Sequence, residues 1–281
     1  MSGRRPPDFE EDHHHRSRFI RNLTLRQLQA SHETQQGEPS LGATLIPRTL
    51  VQFWHDASNI PADVKGCLDS WNLLELAGFE LRMFCDESAA AYIAERYGRR
   101  EVAAFERCRH PAMRSDYFRL CFVLADGGLY VDADDVLIGE GWHAIFRDNT
   151  LKLQPLCYDV NAQAMLPAAE LRQVDLPTSD RIFYVNNNPI AAPAGHPVLS
   201  RALVRATARL LGQDESPEIQ STTGPGNLTA VLAAHAYELQ LQDTTAIQDF
   251  ELLLDWHKVA ETRWELAYRN DCRNWRNMSD D

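Results

Sequence analysis

The segment 114–135 combines a helix, a glycine pair and a short strand, and it ends in three closely spaced aspartates at 132, 134 and 135. Apolar residues recur over 118–125 at the spacing of a helix face, which predicts a buried helix. Gly127 and Gly128 end that helix, because glycine accepts the left-handed backbone that a helix end needs. Residues 129–131 are apolar and predict a short buried strand. A helix that turns directly into a buried strand favours a layered α/β fold.

The acidic end of this strand predicts a metal site. Asp132 and Asp134 are two residues apart, so in an extended chain their carboxylates point to the same side. Two close carboxylates repel each other unless one is protonated or a cation bridges them. Oxygen ligands suit a hard divalent ion such as Mg²⁺ or Mn²⁺. The alternative interpretation is a solvated acidic turn without a function.

Asp116 and Arg119 lie three residues apart on the predicted helix and therefore share a face. They precede Asp132 by about one helix and a turn, which brings the start of the helix back to the end of the strand. This placement predicts contacts with a sugar or with phosphate groups. A surface Asp–Arg pair without a ligand is the alternative.

The motifs R-S-D-Y-F-R at 114–119 and G-G-L-Y-V-D-A-D at 127–134 resemble a known signature. They are similar to the DXD-motif glycosyltransferases with a sugar-binding region, of the family 32 type. This group includes yeast initiating mannosyltransferases, capsular polysaccharide glycosyltransferases and the catalytic domain of the large clostridial glucosylating toxins. I-P-R-T-L-V-Q-F-W at 46–54 and T-G-P-G-N-L-T at 223–229 extend the resemblance, which covers about 45–265.

The resemblance implies a GT-A-type (Rossmann-like) α/β domain that uses Mn²⁺ or Mg²⁺. It implies retaining transfer of a sugar from a UDP- or GDP-sugar donor. The acceptor implied by the group is a carbohydrate, a glycolipid, a small metabolite or a protein. His257 is the expected third metal ligand beside Asp132 and Asp134, and Trp264 is expected at the donor phosphates. The residues expected to carry the reaction are Asp116, Arg119, Asp132 and Asp134, and those expected to bind the donor are Trp54, Ser88, Arg114, Ser115, Asp116, Arg119, Tyr130, Asp132, Asn188, Gly224 and Trp264.

Four of the donor residues follow predicted strands or open a predicted helix, and each has a structural alternative. Trp54 ends the first predicted strand, where the resemblance implies the wall of the base pocket; a core tryptophan is the alternative. Ser88 follows the second predicted strand and is a candidate for the nucleotide or its ribose. Asn188 ends an asparagine run after a predicted strand at 182–185, which suits sugar hydroxyls or a turn. Gly224 opens a predicted helix, where it lets backbone amides approach a phosphate or simply forms a turn.

Alternating strands and helices predict one domain over 44–269 with a mostly parallel central sheet. Residues 1–43 form a polar N-terminal tail in which 17–31 is predicted to be a helix docked on the domain. The histidine run at 13–15 is interpreted as an incidental part of this tail. Residues 270–281 form a polar C-terminal tail.

The net charge of −12 argues against nucleic acid as a partner. An anionic donor would therefore need local cations, from a metal ion or from Arg114 and Arg119. No apolar run reaches the roughly 18 residues of a membrane span, so we do not expect an integral membrane protein. The six cysteines include no C-x-x-C pattern and are interpreted as reduced thiols of a cytoplasmic protein.

Other classes that use paired aspartates fit the spacing less well. A nucleotidyltransferase would place its glycine pair well before the acids, but Gly128 precedes Asp132 by only four residues. A phosphohydrolase with an aspartate nucleophile would place a threonine soon after the acids, where Val136 and Leu137 stand. A non-catalytic sugar-nucleotide-binding module remains a further alternative. The sequence nominates no carboxylate nucleophile, so both a double displacement and a front-side attack stay open.

Overall fold

The computed structural model describes residues 8–33, 45–213, 218–241 and 249–277. The remaining parts of the predicted tails, at 1–7, 34–43 and 278–281, lie outside the described residues, as does residue 44. The α-helices are α1 (His13–Glu33), α2 (Ala62–Ser70), α3 (Asp86–Arg96), α4 (Arg99–Glu106), α5 (Pro111–Asp126), α6 (Pro197–Leu210), α7 (Ile219–Thr222) and α8 (Pro225–Leu241). Short 3₁₀ helices cover Trp71–Ala77, Glu140–Phe146, Glu170–Arg172, Trp256–Lys258, Ala267–Asn270 and Trp275–Asn277.

The strands form one seven-stranded sheet and one separate pair. The strands are β1 (Thr49–Phe53), β2 (Glu80–Phe84), β3 (Gly128–Tyr130), β4 (Asp135–Leu137), β5 (Leu151–Asp159), β6 (Ala164–Met165), β7 (Arg181–Ala192), β8 (Phe250–Leu252) and β9 (Ala260–Thr262). The sheet order is β2-β1-β3-β7-β5-β6, with β8 beside β5, while β4 pairs with β9.

The first part of the sheet is a Rossmann-like parallel unit. β1 runs parallel to both of its neighbours, β2 and β3, whereas β7 is antiparallel to β3 and to β5. The chain leaves β1 toward β2 on one side and reaches β3 on the other, which makes β1 and β3 the switch point of the sheet. In such sheets, ligands bind beyond the carboxyl ends of the strands at the switch point. The predicted α/β class is therefore confirmed.

Helix α5 is the central helix of the core. It buries Phe118 and Phe122, and Phe118 packs at ring-centroid distances of 4.7 Å from Phe84 and 5.8 Å from Phe53. These contacts fix α5 on the sheet that β1 and β2 form. The N-terminal half of the helix, with its polar motif, is thereby held near the carboxyl end of β1.

The glycine pair after α5 allows β3 to pass close to β1. Gly127 has a φ of +72° and Gly128 a φ of +113°, which side-chain-bearing residues rarely adopt. A Cβ atom on Gly128 would lie 2.6 Å from the carbonyl oxygen of Thr49. The predicted helix break is confirmed, and only glycine allows β3 to pair with β1 at this point.

Helix α1 begins earlier than the predicted 17–31 and includes the three histidines in its first turn. It packs on β7 and α8. Ser17 accepts a hydrogen bond from the Phe183 amide (2.9 Å), and Arg21 donates to the Leu171 carbonyl oxygen (2.7 Å). The histidine run is therefore part of a packed helix rather than of a tail. None of the described helices combines the length and the hydropathy that a membrane span requires.

One sequence interpretation is wrong in detail. The asparagine run 186–188 does not follow a strand, because β7 continues through it to Ala192. The asparagines remain extended since their carboxamides bond to side chains and backbone of the neighbouring elements, and such tertiary contacts override the low strand preference of asparagine.

Candidate functional site

A cavity of about 1740 Å³ opens at the carboxyl ends of β1 and β3. Ligand pockets for small molecules are usually about 300–1,000 Å³, so this cavity has room for more than one ligand. Its walls come from the end of β1, the start of α5, the loop after β3, the strands β5 and β7, the start of α1 and the segment 256–276. The sequence-predicted residues that line it are Trp54, Ser115, Asp116, Arg119, Asp132, Asp134, Asn188, His257 and Trp264.

Arg119 links the helix motif to the strand motif. Its Nη2 donates to Oδ1 of Asp132 (2.8 Å) and lies 3.1 Å from Oδ1 of Asp116. Its Nη1 donates to the Asn187 carbonyl oxygen (2.6 Å), and its guanidinium lies 4.4 Å from the centre of the Tyr130 ring. The predicted residues of 114–119 and 127–134 thus meet around one buried cation.

Asp116 is almost fully enclosed. Its carboxylate accepts hydrogen bonds from the Asn187 side chain (2.7 Å) and from the Thr223 hydroxyl (3.3 Å). Burial raises the pKa of Asp116 to about 6, and the nearby charge of Asp132 adds to this effect, while Arg119 opposes it. Asp116 therefore lies at the cavity wall with its oxygens held in a fixed orientation.

Ser115 and Tyr130 support the same cluster from behind. The Ser115 hydroxyl lies 2.7 Å from the Tyr130 hydroxyl and accepts a hydrogen bond from Arg119 (2.9 Å). Tyr130 is fully buried, and burial raises its pKa. Its hydroxyl lies 3.4 Å from Oδ1 of Asp132. Tyr130 thus orients Arg119 and Asp132 and does not line the cavity.

Asn188 fixes the loop that carries the aspartates. Its Oδ1 accepts a hydrogen bond from the Asp132 amide (3.0 Å), and its Nδ2 donates to Oδ2 of Asp135 (2.8 Å). The Thr262 hydroxyl donates to Oδ1 of Asp135 (2.6 Å). Burial, together with Asp134 and Asp132, raises the pKa of Asp135 to about 7. Sequence analysis missed Asp135 as a member of the site, although its position directly after the D-A-D motif was a visible signal.

The C-terminal segment closes over Asp134. The Tyr268 hydroxyl donates to Oδ2 of Asp134 (2.8 Å), and Arg269 forms an ion pair with the same oxygen. Burial and the charge of Asp132 raise the pKa of Asp134, while Arg269 opposes the shift. The sequence-based prediction did not include Tyr268 and Arg269, because no local pattern relates them to the aspartates.

Asp132 and Asp134 fit a hard divalent ion. Both line the cavity, and their mutual repulsion contributes to the raised pKa of Asp134, which is the arrangement that a cation relieves. Across the described ranges, no three His, Cys, Asp or Glu side chains come together as a metal site, and His257 lines the cavity without joining such a cluster. Mg²⁺ commonly uses one or two carboxylates together with waters and substrate phosphates, so two aspartates suffice as protein ligands.

The two predicted tryptophans differ in exposure. Trp54 is 7% exposed, donates from Nε1 to the Asn59 carbonyl oxygen (3.3 Å) and packs edge to face on Tyr268 at 5.3 Å. Trp264 is 56% exposed, and the Arg269 guanidinium lies 4.4 Å from its ring centre. Trp54 thus combines a packing role with a place at the cavity, whereas Trp264 is an exposed cavity residue whose ring lies under the guanidiniums of Arg269 and Arg276.

Besides Tyr130, three predicted donor residues lie beside the cavity rather than on its wall. Arg114 donates to Oδ1 of Asp86 (2.8 Å) and to the Cys108 carbonyl oxygen (3.0 Å). Ser88 caps α3, where its hydroxyl accepts a hydrogen bond from the Cys85 amide (2.9 Å). Gly224 precedes α8, whose Pro225 and Gly226 line the cavity. Contacts of Arg114, Ser88 and Gly224 with a donor stay predictions.

The chain is similar to a relative of the predicted group. The initiation-specific alpha-1,6-mannosyltransferase of Saccharomyces cerevisiae is 21% identical over 200 residues, which cover 62% of this chain and 42% of that protein. The predicted resemblance is confirmed. The chain thus spans less than half of the length of this relative.

Two further comparisons complete this result. No protein-family model matches the chain. A solved structure of PaToxG glycosyltransferase matches 84% of this chain and 91% of its own length, with a TM-score of 0.44 and 16% sequence identity.

Proposed function

We propose that the protein is a metal-dependent, retaining glycosyltransferase that moves a sugar from a UDP- or GDP-sugar to an acceptor. The observation that carries this proposal is the convergence of Asp116, Arg119, Asp132 and Asp134 on one cavity at the switch point of the sheet. The acceptor is a carbohydrate, a glycolipid, a small metabolite or a protein. The similarity to a mannosyltransferase supports the same reaction class.

Asp132 and Asp134 would hold the divalent ion, Mn²⁺ or Mg²⁺. When bound, the ion supplies positive charge that offsets the charge gained by the leaving nucleoside diphosphate. Arg119 holds the Asp132 carboxylate in a fixed orientation. The Asn188 carboxamide holds the backbone of Asp132 in the same way. Such preorganisation is what makes electrostatic stabilisation effective, because no reorganisation is needed during the reaction.

Trp54 and Asp116 would bind opposite ends of the donor. Trp54 lies at the cavity wall at the end of β1, where an indole can stack on the nucleotide base. Asp116 would accept a hydrogen bond from a sugar hydroxyl. Since both Asp116 oxygens already accept hydrogen bonds from Asn187 and Thr223, this carboxylate is poorly placed to act as a nucleophile. The proposal therefore favours front-side attack guided by the leaving phosphate over a double displacement.

Two features support a cytoplasmic location and a partner other than nucleic acid. All six cysteines are free thiols, as expected in a reducing compartment. The net charge of −12 disfavours binding to polyanions.

The proposal is tested by incubating the purified protein with UDP-glucose, UDP-galactose, UDP-N-acetylglucosamine and GDP-mannose, each with Mn²⁺ or with EDTA. We expect release of UDP or GDP from one donor with Mn²⁺, with water as the acceptor of the sugar, and none with EDTA. Release of pyrophosphate from nucleoside triphosphates would instead indicate a nucleotidyltransferase, and release of inorganic phosphate a phosphohydrolase. If none of the donors reacts, the transferase proposal is wrong. A melting temperature raised by UDP or GDP with Mn²⁺ would then indicate a non-catalytic nucleotide-binding module.

A further inference from the structure

The ion pair between Arg269 and Asp134 places a protein cation at one of the two proposed metal ligands. The two side chains are each only 15% exposed. Arg269 contacts Oδ2 of Asp134, and Tyr268 donates to the same oxygen at 2.8 Å. A divalent ion that used this oxygen would have to displace the guanidinium.

Arg269 is not fully satisfied in this position. Its guanidinium lies over the rings of Trp264, at 4.4 Å, and Tyr268, at 5.5 Å. Its Nε is buried and, within the described part of the chain, forms no hydrogen bond. An unpaired buried donor is unfavourable, so a ligand that accepted from Nε would improve the environment of the side chain.

The backbone around Arg269 is anchored independently of the ion pair. The side chains of Asn274 and Asn277 donate to the Arg269 carbonyl oxygen at 2.8 and 3.0 Å. The Ala267 amide donates to Asp63 at 2.6 Å. Release of the guanidinium from Asp134 therefore requires rotation of the side chain, without removal of the segment from the cavity.

We infer that Arg269 neutralises Asp134 while the metal ion is absent. When the ion binds, Arg269 leaves Asp134 and pairs with the diphosphate of the donor. This inference rests on the proposed function. A guanidinium released inside the cavity needs another anion, because a buried unpaired charge is strongly unfavourable. The planar fork of arginine matches phosphate oxygens, and a diphosphate bound beside Asp134 supplies them.

Other arginines at the cavity wall have different partners. Arg119 is bonded to Asp132, and Arg273 is bonded to Asp271 through Nε and Nη2 at 3.0 and 2.7 Å. Arg273 thus provides a matched control, because it lies in the same segment and lines the same cavity without a contact to Asp134.

The first measurement is Mn²⁺ binding by calorimetry, without nucleotide, to the full-length protein, Arg269→Gln and Arg273→Gln. Loss of the competing cation should tighten Mn²⁺ binding about tenfold in Arg269→Gln, which corresponds to about 1.4 kcal/mol. Arg273→Gln should bind Mn²⁺ as the unchanged protein does. Mn²⁺ binding by Arg269→Gln that is equal to or weaker than binding by the unchanged protein would overturn the inference. The absence of Mn²⁺ binding to both the unchanged protein and Arg269→Gln would also overturn it.

The second measurement is UDP and GDP binding at saturating Mn²⁺. Here Arg269→Gln should bind the nucleotide about tenfold more weakly, because the diphosphate has lost its guanidinium. Opposite changes in the two affinities cannot come from partial unfolding, which would weaken both. Unchanged nucleotide affinity would overturn the exchange. Arg269→Lys keeps the positive charge but loses the planar fork. Its affinities for Mn²⁺ and for the nucleotide should each lie between those of the unchanged protein and of Arg269→Gln. This variant provides the test if Arg269→Gln folds poorly.

Failure of this inference can be told apart from failure of the proposed function. If a nucleotide sugar is turned over and Arg269→Gln binds Mn²⁺ no more tightly than the unchanged protein, only the exchange is wrong. If the opposite affinity changes are found and no nucleotide sugar reacts, the exchange holds and the transferase proposal is wrong.

Discussion

Arg119 and Asp132 form an ion pair of 2.8 Å across thirteen positions of the sequence. The pair joins helix α5 to the loop after β3. The arginine side chain is 4% exposed and the aspartate side chain 31% exposed, so the cation is buried while the carboxylate still faces the cavity. One interaction therefore both holds two elements together and orients a proposed metal ligand.

Arg119→Lys should weaken donor use more than it weakens folding. Lysine keeps the charge but loses the fork that reaches Asp132, Asp116 and the Asn187 carbonyl oxygen together. We expect kcat/KM for the donor to fall at least about tenfold, since hydrogen bonds to charged groups contribute roughly 1.5–3 kcal/mol each. Donor kinetics and urea unfolding of the same sample provide the measurement. Unchanged donor affinity in a well-folded variant would assign the pair a purely structural role.

Asp134→Asn should lower sugar transfer at least about a hundredfold, the scale seen when one strong electrostatic stabiliser is removed. The amide is a weaker ligand for a divalent ion than the carboxylate. Asp69→Asn is a suitable control, because Asp69 pairs with Lys65 in an exposed i,i+4 pair and does not line the cavity. Near-normal turnover by Asp134→Asn with EDTA present would contradict the proposed metal dependence.

Trp54→Ala should reduce both folding stability and nucleotide affinity. Trp54 packs with Val64, Leu68 and Tyr268 and also lines the cavity. Removing the ring should cost about 3–5 kcal/mol of folding stability and weaken nucleotide binding about tenfold to a hundredfold, as the loss of a stacked base does. Thermal melting and UDP or GDP titration of one sample test both effects.

Trp142→Ala serves as the control for this experiment. Trp142 is 6% exposed, packs edge to face on Phe79 at 5.2 Å and does not line the cavity. Trp142→Ala should destabilise the fold while the remaining folded protein binds nucleotide normally. If Trp54→Ala behaves in the same way as Trp142→Ala, Trp54 does not contact the base.

Asp116 should make the stability of the protein depend on pH in a predictable direction. Burial raises its pKa in the folded state from 3.8 to about 6. The stability contributed by the protonated, buried acid is complete below the unfolded pKa and is lost as the pH rises through about 6. Between pH 4 and pH 7 the free energy of unfolding should therefore fall, relative to Asp116→Asn, by about 2 kcal/mol, which is most of the full effect of the shift at about 1.4 kcal/mol per pKa unit.

Urea unfolding of both proteins at several pH values within that range provides the test. Asparagine cannot ionise, so the difference between the two proteins isolates the titration of Asp116. A difference that is constant over the range, or that changes in the opposite direction, would contradict the assignment.

The sequence predicted those parts of the fold whose signals are local. The strand expected to end at Trp54 is β1 (Thr49–Phe53), and the helix break at Gly127 and Gly128 lies where the pattern places it. The approach of Asp116 and Arg119 to Asp132 also followed from the lengths of one helix and one turn. In each case, a few adjacent residues determine the geometry.

Contacts between distant segments were not predictable in this way. Arg269 meets Asp134 across 135 positions, and neither its neighbours nor its spacing distinguishes it from other C-terminal arginines. Asn188 was expected after a strand, either as a ligand of sugar hydroxyls or in a turn, whereas it lies within β7 and its carboxamide is paired with Asp132 and Asp135. Tertiary partners determined the conformation there, and a single sequence does not reveal them.

Helix α1 is synthesised long before the elements that it packs against, β7 and α8. Ser17 bonds to Phe183, and Gln27 exchanges hydrogen bonds of 2.9 and 2.7 Å with Leu252 across 225 positions. During translation the contacts of this helix with β8 therefore cannot form until residue 252 has been synthesised. Since Ser17 and His14 line the cavity, the wall that α1 contributes depends on segments that are synthesised much later.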